Sequence, residues 1–161
     1  MNLLDAKILL LLFAVNGAPI VLRNLLNERC AWPVDGGWLA PDGKRLFGAS
    51  KTWRGIASAL LAGMAAGWGL GVGALTGLIV GALAMAGDLF SSFCKRRLGL
   101  PASAMALGLD QIPESLLPLL GMFSAWNLGA GELCGLVAAF LVLELAISRV
   151  LYWLHIRRQP Y

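Results

Sequence analysis

The chain is predicted to be an all-α integral membrane protein, and three observations predict it. Its 161 residues are 58% hydrophobic and only 14% charged, with a mean hydropathy of +0.74, more apolar surface than a domain of this size can hide in a core. The charges cluster at 23–54, at 95–97 and toward the C-terminus, and the stretches between them are nearly uncharged. Those stretches approach the about 20 helical residues that cross a hydrocarbon layer about 30 Å thick. Isolated strands would leave backbone groups without partners in lipid, so the spans are helices.

Five spans follow in order, at about 3–22, 55–70, 73–93, 112–128 and 133–156, with long loops at about 23–54 and 94–111, all within one transmembrane domain, 1–161. The first stretch lacks the basic start and small-residue cleavage site of a secretory signal, so it reads as a permanent span. The connections at 70–72 and 129–132 are short enough for tight helical hairpins. In the second and third spans Gly63, Gly67 and Gly71, then Gly69, Gly73, Gly77 and Gly81, recur every four residues. Lying inside apolar helix and not after a strand, they suit close helix packing better than phosphate binding.

All but Lys7 of the thirteen Lys and Arg residues fall in the first long loop, at 95–97 or near the C-terminus. The positive-inside rule then puts the N-terminus outside and the C-terminus and both long loops in the cytoplasm, in a multi-pass protein of the cell (inner) membrane. Trp53 and Trp153 fall at the cytoplasmic interface and Trp68 and Trp126 near the opposite one, as an aromatic belt requires. The formal net charge of +4 flanks apolar segments, which points to the bilayer as partner and not to nucleic acid.

The inventory narrows the chemistry. Cys30, Cys94 and Cys134 form no CxxC pair, so a disulfide framework is not expected. His155 is the only histidine, which excludes zinc sites built on several imidazoles. Asp, Glu, Lys and Arg are the main groups left to carry a reaction.

Asp88 lies inside the third span, a few residues before its cytoplasmic end. A carboxylate there costs a few kcal/mol unless paired, hydrated or metal-bound, which makes it a functional candidate by default. Asp88, Ser91, Ser92 and Lys95 share one helix face, able to hold a cation deep with phosphate oxygens above it. The plainer reading pairs Asp88 with Lys95 or a neighbouring Arg and leaves Lys95, Arg96 and Arg97 as anchoring charges. Asp110 precedes the fourth span, where it suits a helix N-cap as well as a metal site, and Glu114 follows one turn later. Together with Asp88, these two acids suit a hard cation such as Mg²⁺. In the first loop Lys44, Lys51, Thr52 and Arg54 offer the donors a polyphosphate needs, or ordinary contacts to lipid headgroups. Acids for a cation, bases for phosphates, and an opening onto lipid match nucleotidyl transfer to a lipid phosphate. The attacking phosphate is already anionic, so no histidine base is required.

These segments also resemble a known family. Asp42-Gly43-Lys44-Arg45-Leu46-Phe47-Gly48, Lys51-Thr52-Trp53-Arg54-Gly55, Gly87-Asp88-Leu89 with Ser92-Phe93 and Lys95-Arg96-Arg97-Leu98-Gly99, and Leu109-Asp110-Gln111, in that order, are similar to the CDP-archaeol synthase family, as is Asn16-Gly17-Ala18-Pro19 in the first span. The resemblance covers essentially the whole chain. It implies a five-span enzyme that uses CTP and Mg²⁺ to convert a membrane lipid phosphate into a CDP-lipid with release of pyrophosphate, related to the phosphatidate cytidylyltransferases. It further implies Asp88 and Asp110 as metal or triphosphate acids, Lys51, Thr52, Arg54, Lys95, Arg96 and Arg97 as phosphate contacts, and Asn16 as polar pocket lining. The archaeal pattern Asp-Gln-Leu-Asp is interrupted here, where Pro113 takes the fourth place and the acid comes one residue later as Glu114. That departure bears on the ether-lipid substrate more than on the chemistry and leaves room for a bacterial-type member. The competing class is a non-catalytic scaffold, or a transport subunit that uses Asp88 as an intramembrane charge.

Overall fold

The computed structural model describes residues 2–101, 104 and 106–153. They form five helices: α1 (Leu3–Leu26), α2 (Trp53–Gly69), α3 (Ala74–Arg97), α4 (Gln111–Gly121) and α5 (Ala130–Trp153). The single histidine and the end of the stretch predicted at 133–156 lie outside the described residues. Three helices are long and apolar enough to cross a membrane: Leu3–Leu26, Ala74–Arg97 and, within α5, Ala130–Val150. α2 has 17 residues, about 25 Å at 1.5 Å per residue.

α4 differs from the span predicted at 112–128. It has 11 residues, about 16 Å, and cannot cross a bilayer alone. It carries Pro118 and ends at Gly121, both weak helix formers. Turns follow to Leu128, with Asn127 at φ 50°. The apolar run continues where the helix does not, because hydropathy reports the surroundings of a segment and not its backbone.

Helix starts are locally encoded. Asn2 and Asp5 form a reciprocal capping box on α1, the Asn2 side chain accepting from the Asp5 N–H at 2.9 Å and the Asp5 carboxylate from the Asn2 N–H at 2.7 Å. Thr52 caps α2 by accepting from the Gly55 N–H at 3.3 Å. Lys95, Arg96 and Arg97 occupy the last turn of α3, where the helix dipole favours cations.

The α2–α3 pair is the tightest contact. A Cβ on Gly63 would meet the Gly77 carbonyl oxygen, one on Gly77 would meet that of Gly63, and Gly67 is closed off in the same way by Gly73. Lipid provides no hydrophobic drive between helices, so this close approach supplies the packing energy. α1 lies against both, burying Leu11, Leu12 and Val15 with Ala59, Val80 and Ala84. α5 joins through Phe13 and Phe140, stacked at 5.2 Å.

Two further contacts build the charged end. Gly87 of α3 lies so close to α4 that a Cβ would strike the Pro113 carbonyl, which sets Asp88 level with Glu114. The loop 27–52 is organised on Asp35, whose buried carboxylate accepts from the Arg45 guanidinium and from the N–H groups of Gly48 (2.9 Å), Gly37 (3.1 Å) and Phe47 (3.2 Å). Burial opposes the charge on Asp35, but Arg45 and the three N–H donors outweigh it and hold the pKa at about 2. Arg97 fastens this loop to α3 by donating to Asp42 at 2.8 Å and to the Arg45 carbonyl at 2.7 Å.

Candidate active site

The helix ends and the loop enclose a cavity of about 470 Å³. α1 contributes Pro19, Ile20 and Arg23, the loop contributes Phe47, Lys51 and Thr52, α2 contributes Arg54, and α3 contributes Asp88, Ser92, Lys95 and Arg96. The face of α3 expected from helical spacing is thus the cavity wall, with one exception. Ser91 is buried and turned into its own helix, donating to the Gly87 carbonyl at 2.9 Å.

Acids and bases alternate in a row along and behind the cavity wall. Lys51 Nζ lies 2.6 Å from Asp88 Oδ1, and the α3–α4 contact at Gly87, Pro113 and Glu114 brings the Glu114 carboxyl to the side of Asp88. Lys95 Nζ lies 2.6 Å from Asp110 Oδ1 and 3.2 Å from the Ala104 carbonyl. Burial works against the ammonium of Lys51, but Asp88, Glu114 and Asp110 face it and raise its pKa above the ordinary lysine value. Asp110 carries no capping bond to its own helix. Its second oxygen accepts from the Ala106 N–H at 3.1 Å, so it belongs to the charged row and not to a simple N-cap.

Arg96 is buried and donates to the Pro101 carbonyl at 2.8 Å, while its Nε has no partner among the described residues. That leaves a charge-assisted donor beside the cavity. Arg54 donates to the Arg29 carbonyl and lines a second space as well, an apolar groove of about 660 Å³ between α1 and α2 walled by Phe13, Gly17, Val21, Leu25 and Leu61. One guanidinium therefore marks the border between the polar cavity and the apolar groove.

The structure brings Asp88, Lys51, Thr52, Arg54, Ser92, Lys95 and Arg96 to the cavity wall. Asp110 and Glu114 stand behind it, against Lys95 and Asp88. Asn16, Lys44 and Arg97 are not on the wall. Asn16 donates to the Leu12 carbonyl at 3.1 Å, and Lys44 and Arg97 bind each other's backbone while tying the loop to α3. Arg23 and Glu28 line the cavity and were not anticipated. Arg23 had been visible only as a topological charge. Gly87 was also missed as a positioning residue, although its place beside Asp88 was the available signal.

No family model matches the chain. CDP-archaeol synthase of Aeropyrum pernix is 35% identical, the match covering 99% of this chain and 93% of the relative. CDP-archaeol synthase of Thermococcus onnurineus is 33% identical over 75% of this chain and 73% of its own length. That of Pyrococcus abyssi is 32% identical over 88% and 83%. A solved structure, described as an intramembrane enzyme for archaeal membrane lipids biosynthesis, matches with a TM-score of 0.77 and 34% identity, covering 91% of this chain and 94% of that one. Similarity at this level over nearly the full length, joined to a helical membrane fold with a charged cavity, means that the chain belongs to the CDP-archaeol synthase family.

Proposed function

We propose that this enzyme transfers the cytidylyl group of CTP to a membrane lipid phosphate, releasing pyrophosphate and leaving a CDP-lipid in the bilayer. The observation that carries this reading is Arg54, shared by the polar cavity and the apolar groove. A substrate with apolar chains and a phosphate head places its charge at such a border. The positive-inside rule turns this end toward the cytoplasm, where CTP is found.

In the reaction an oxygen of the lipid phosphate attacks the α-phosphorus of CTP. A new P–O bond forms as the bond to the β-phosphate oxygen breaks, and pyrophosphate leaves with the electron pair. Lys51, Lys95 and Arg96 neutralise triphosphate charge, Ser92 and Thr52 add hydroxyl donors, and Arg54 orients the attacking phosphate. Such positioning and charge neutralisation supply most of the catalysis of phosphoryl-type transfer.

The acids fit Mg²⁺ by donor chemistry. Among the described residues no group of three or more His, Cys, Asp or Glu is arranged to hold an ion by itself. Mg²⁺ is commonly bound by one or two carboxylates together with substrate phosphates. Asp88 would hold it, supported by Glu114, with Asp110 kept in place by Lys95. When bound, the ion supplies Lewis-acid charge neutralisation on the phosphates.

The scaffold and transport readings are not favoured. An apolar cluster that includes Leu12, Val15, Val80 and Ala84 fills the interior of α1 to α3, where a transport path needs polar groups. Incubating purified protein with CTP, Mg²⁺ and lipid phosphates should release pyrophosphate and form the CDP-lipid. Silence with diacyl and diether glycerol phosphates and with polyprenyl phosphates alike would refute the proposal.

A further inference from the structure

The loop 27–52 carries a feature that the transfer reaction does not use. Trp32 is 72% exposed, Trp38 74% and Leu39 63%. The segment that bears them is well held. Asp35 fixes its centre, the bridges Pro33↔Thr52 and Leu39↔Arg45 pair its arms, and the Trp38 N–H donates to the Asp35 carbonyl at 2.7 Å. A loop pinned in this way cannot turn its indoles inward. Two indoles and a leucine held out from the fold leave a large apolar area uncovered, so a covering surface is called for.

The pairing register identifies that surface. The Trp53 N–H donates to the Trp32 carbonyl at 3.1 Å, so Trp32 stands beside the first residue of α2. Trp53 is 56% exposed, and Leu25, one residue before the end of α1, is 73% exposed. Trp32 therefore lies at the level where α1 and α2 emerge from the apolar layer, the level at which Trp concentrates in membrane proteins. Arg29 and Arg54, joined at that level, supply the positive charge that anionic headgroups attract.

We infer that Trp32, Trp38 and Leu39 form an interfacial anchor, seated in the headgroup region of the same bilayer that the helices cross. The anchor holds the loop against the membrane, and with it the cavity wall formed by Phe47, Lys51 and Thr52. This inference rests on the membrane fold and is independent of the reaction proposed above.

The test places the full chain in phosphatidylcholine–phosphatidylglycerol vesicles whose acyl chains are brominated either near the carboxyl end or near the methyl end. The emission lost in Trp38→Phe, and separately in Trp32→Phe, gives the signal of each indole. Phe preserves most of the apolar surface, and each variant reports without the other should one fail to accumulate. An anchor predicts quenching at least about twofold stronger from the shallow bromine than from the deep one, with little quenching by aqueous iodide. Efficient quenching by iodide with none by brominated lipid would overturn it. So would protection from both, because a protein partner or a second copy would then cover the indoles.

Discussion

Asp35 and Asp88 are both buried or half-buried carboxylates with a basic partner, yet they sit in opposite circumstances. Asp35 is saturated by one guanidinium and three backbone N–H groups, all belonging to its own loop. Nothing remains for a ligand to claim. Asp88 meets one flexible lysine and a second acid, and it faces an open cavity. Fixed backbone donors make a carboxylate structural, whereas side-chain partners that can be exchanged leave one available for chemistry. A buried ion pair by itself does not tell the two apart.

The strongest test of this contrast is Asp88→Asn. It should lower CTP turnover by at least about 10²–10³-fold, the scale of losing one charge-stabilising group in an active site, while the protein remains folded by size-exclusion chromatography and thermal unfolding. Full turnover in a folded variant would sink the assignment. Next comes Gly87→Ala, which touches no substrate. Its methyl group would strike the Pro113 carbonyl and part α3 from α4, and a shift of about 1 Å should cost on the order of 10²-fold in turnover. Unchanged kinetics would show that the Asp88–Glu114 juxtaposition is not needed.

Asp35→Ala should act on stability. Leaving the Arg45 guanidinium and three N–H groups unpartnered should cost about 2–3 kcal/mol, read as faster proteolysis within 27–52. The same pair predicts a pH dependence. The Asp35 pKa is lowered from 3.8 to about 2 in the folded protein, so the folded state binds fewer protons than the unfolded one in that interval. Its stabilisation, about 2 kcal/mol, is present above pH 3.8 and lost as the pH falls toward 2, which hydrogen exchange of the Gly48 amide would follow. The smallest effect belongs to Arg97→Ala. It removes the partly exposed pair with Asp42 and the bonds to the Lys44 and Arg45 carbonyls, together worth about 1–2 kcal/mol, without lowering turnover. Arg96→Ala, on the cavity wall, should by contrast raise the CTP concentration needed for half-maximal rate.

Membrane embedding, the helical class and the main helices were legible because hydropathy and charge clustering act over many residues at once. Asp88 was legible as a candidate because a carboxylate inside an apolar span is costly to place there without a partner or a use, whereas Lys51, Lys95 and Arg96 could be read equally as anchoring charges until the fold set them around one cavity. Lys44 and Arg97 show where that logic stops. They carry the same charge as their neighbours, but the loop folds them onto α3 as fasteners, and only the backbone path decides that. Asp35 was passed over for the converse reason, since a lone aspartate beside two glycines looks like an ordinary turn until its N–H donors are seen.

The sequence by itself determined that the chain lives in a membrane, which end is charged and which acids and bases stand near that end, because those properties follow from composition and local spacing. Only the tertiary structure decided that Asp88 meets Lys51 and Glu114, that Asp110 meets Lys95, that α4 is too short to span, and that Arg54 borders both a polar and an apolar space. Each of these depends on contacts between residues distant in the chain, set by how closely Gly63, Gly77 and Gly87 let backbones approach, and no local pattern carries that distance.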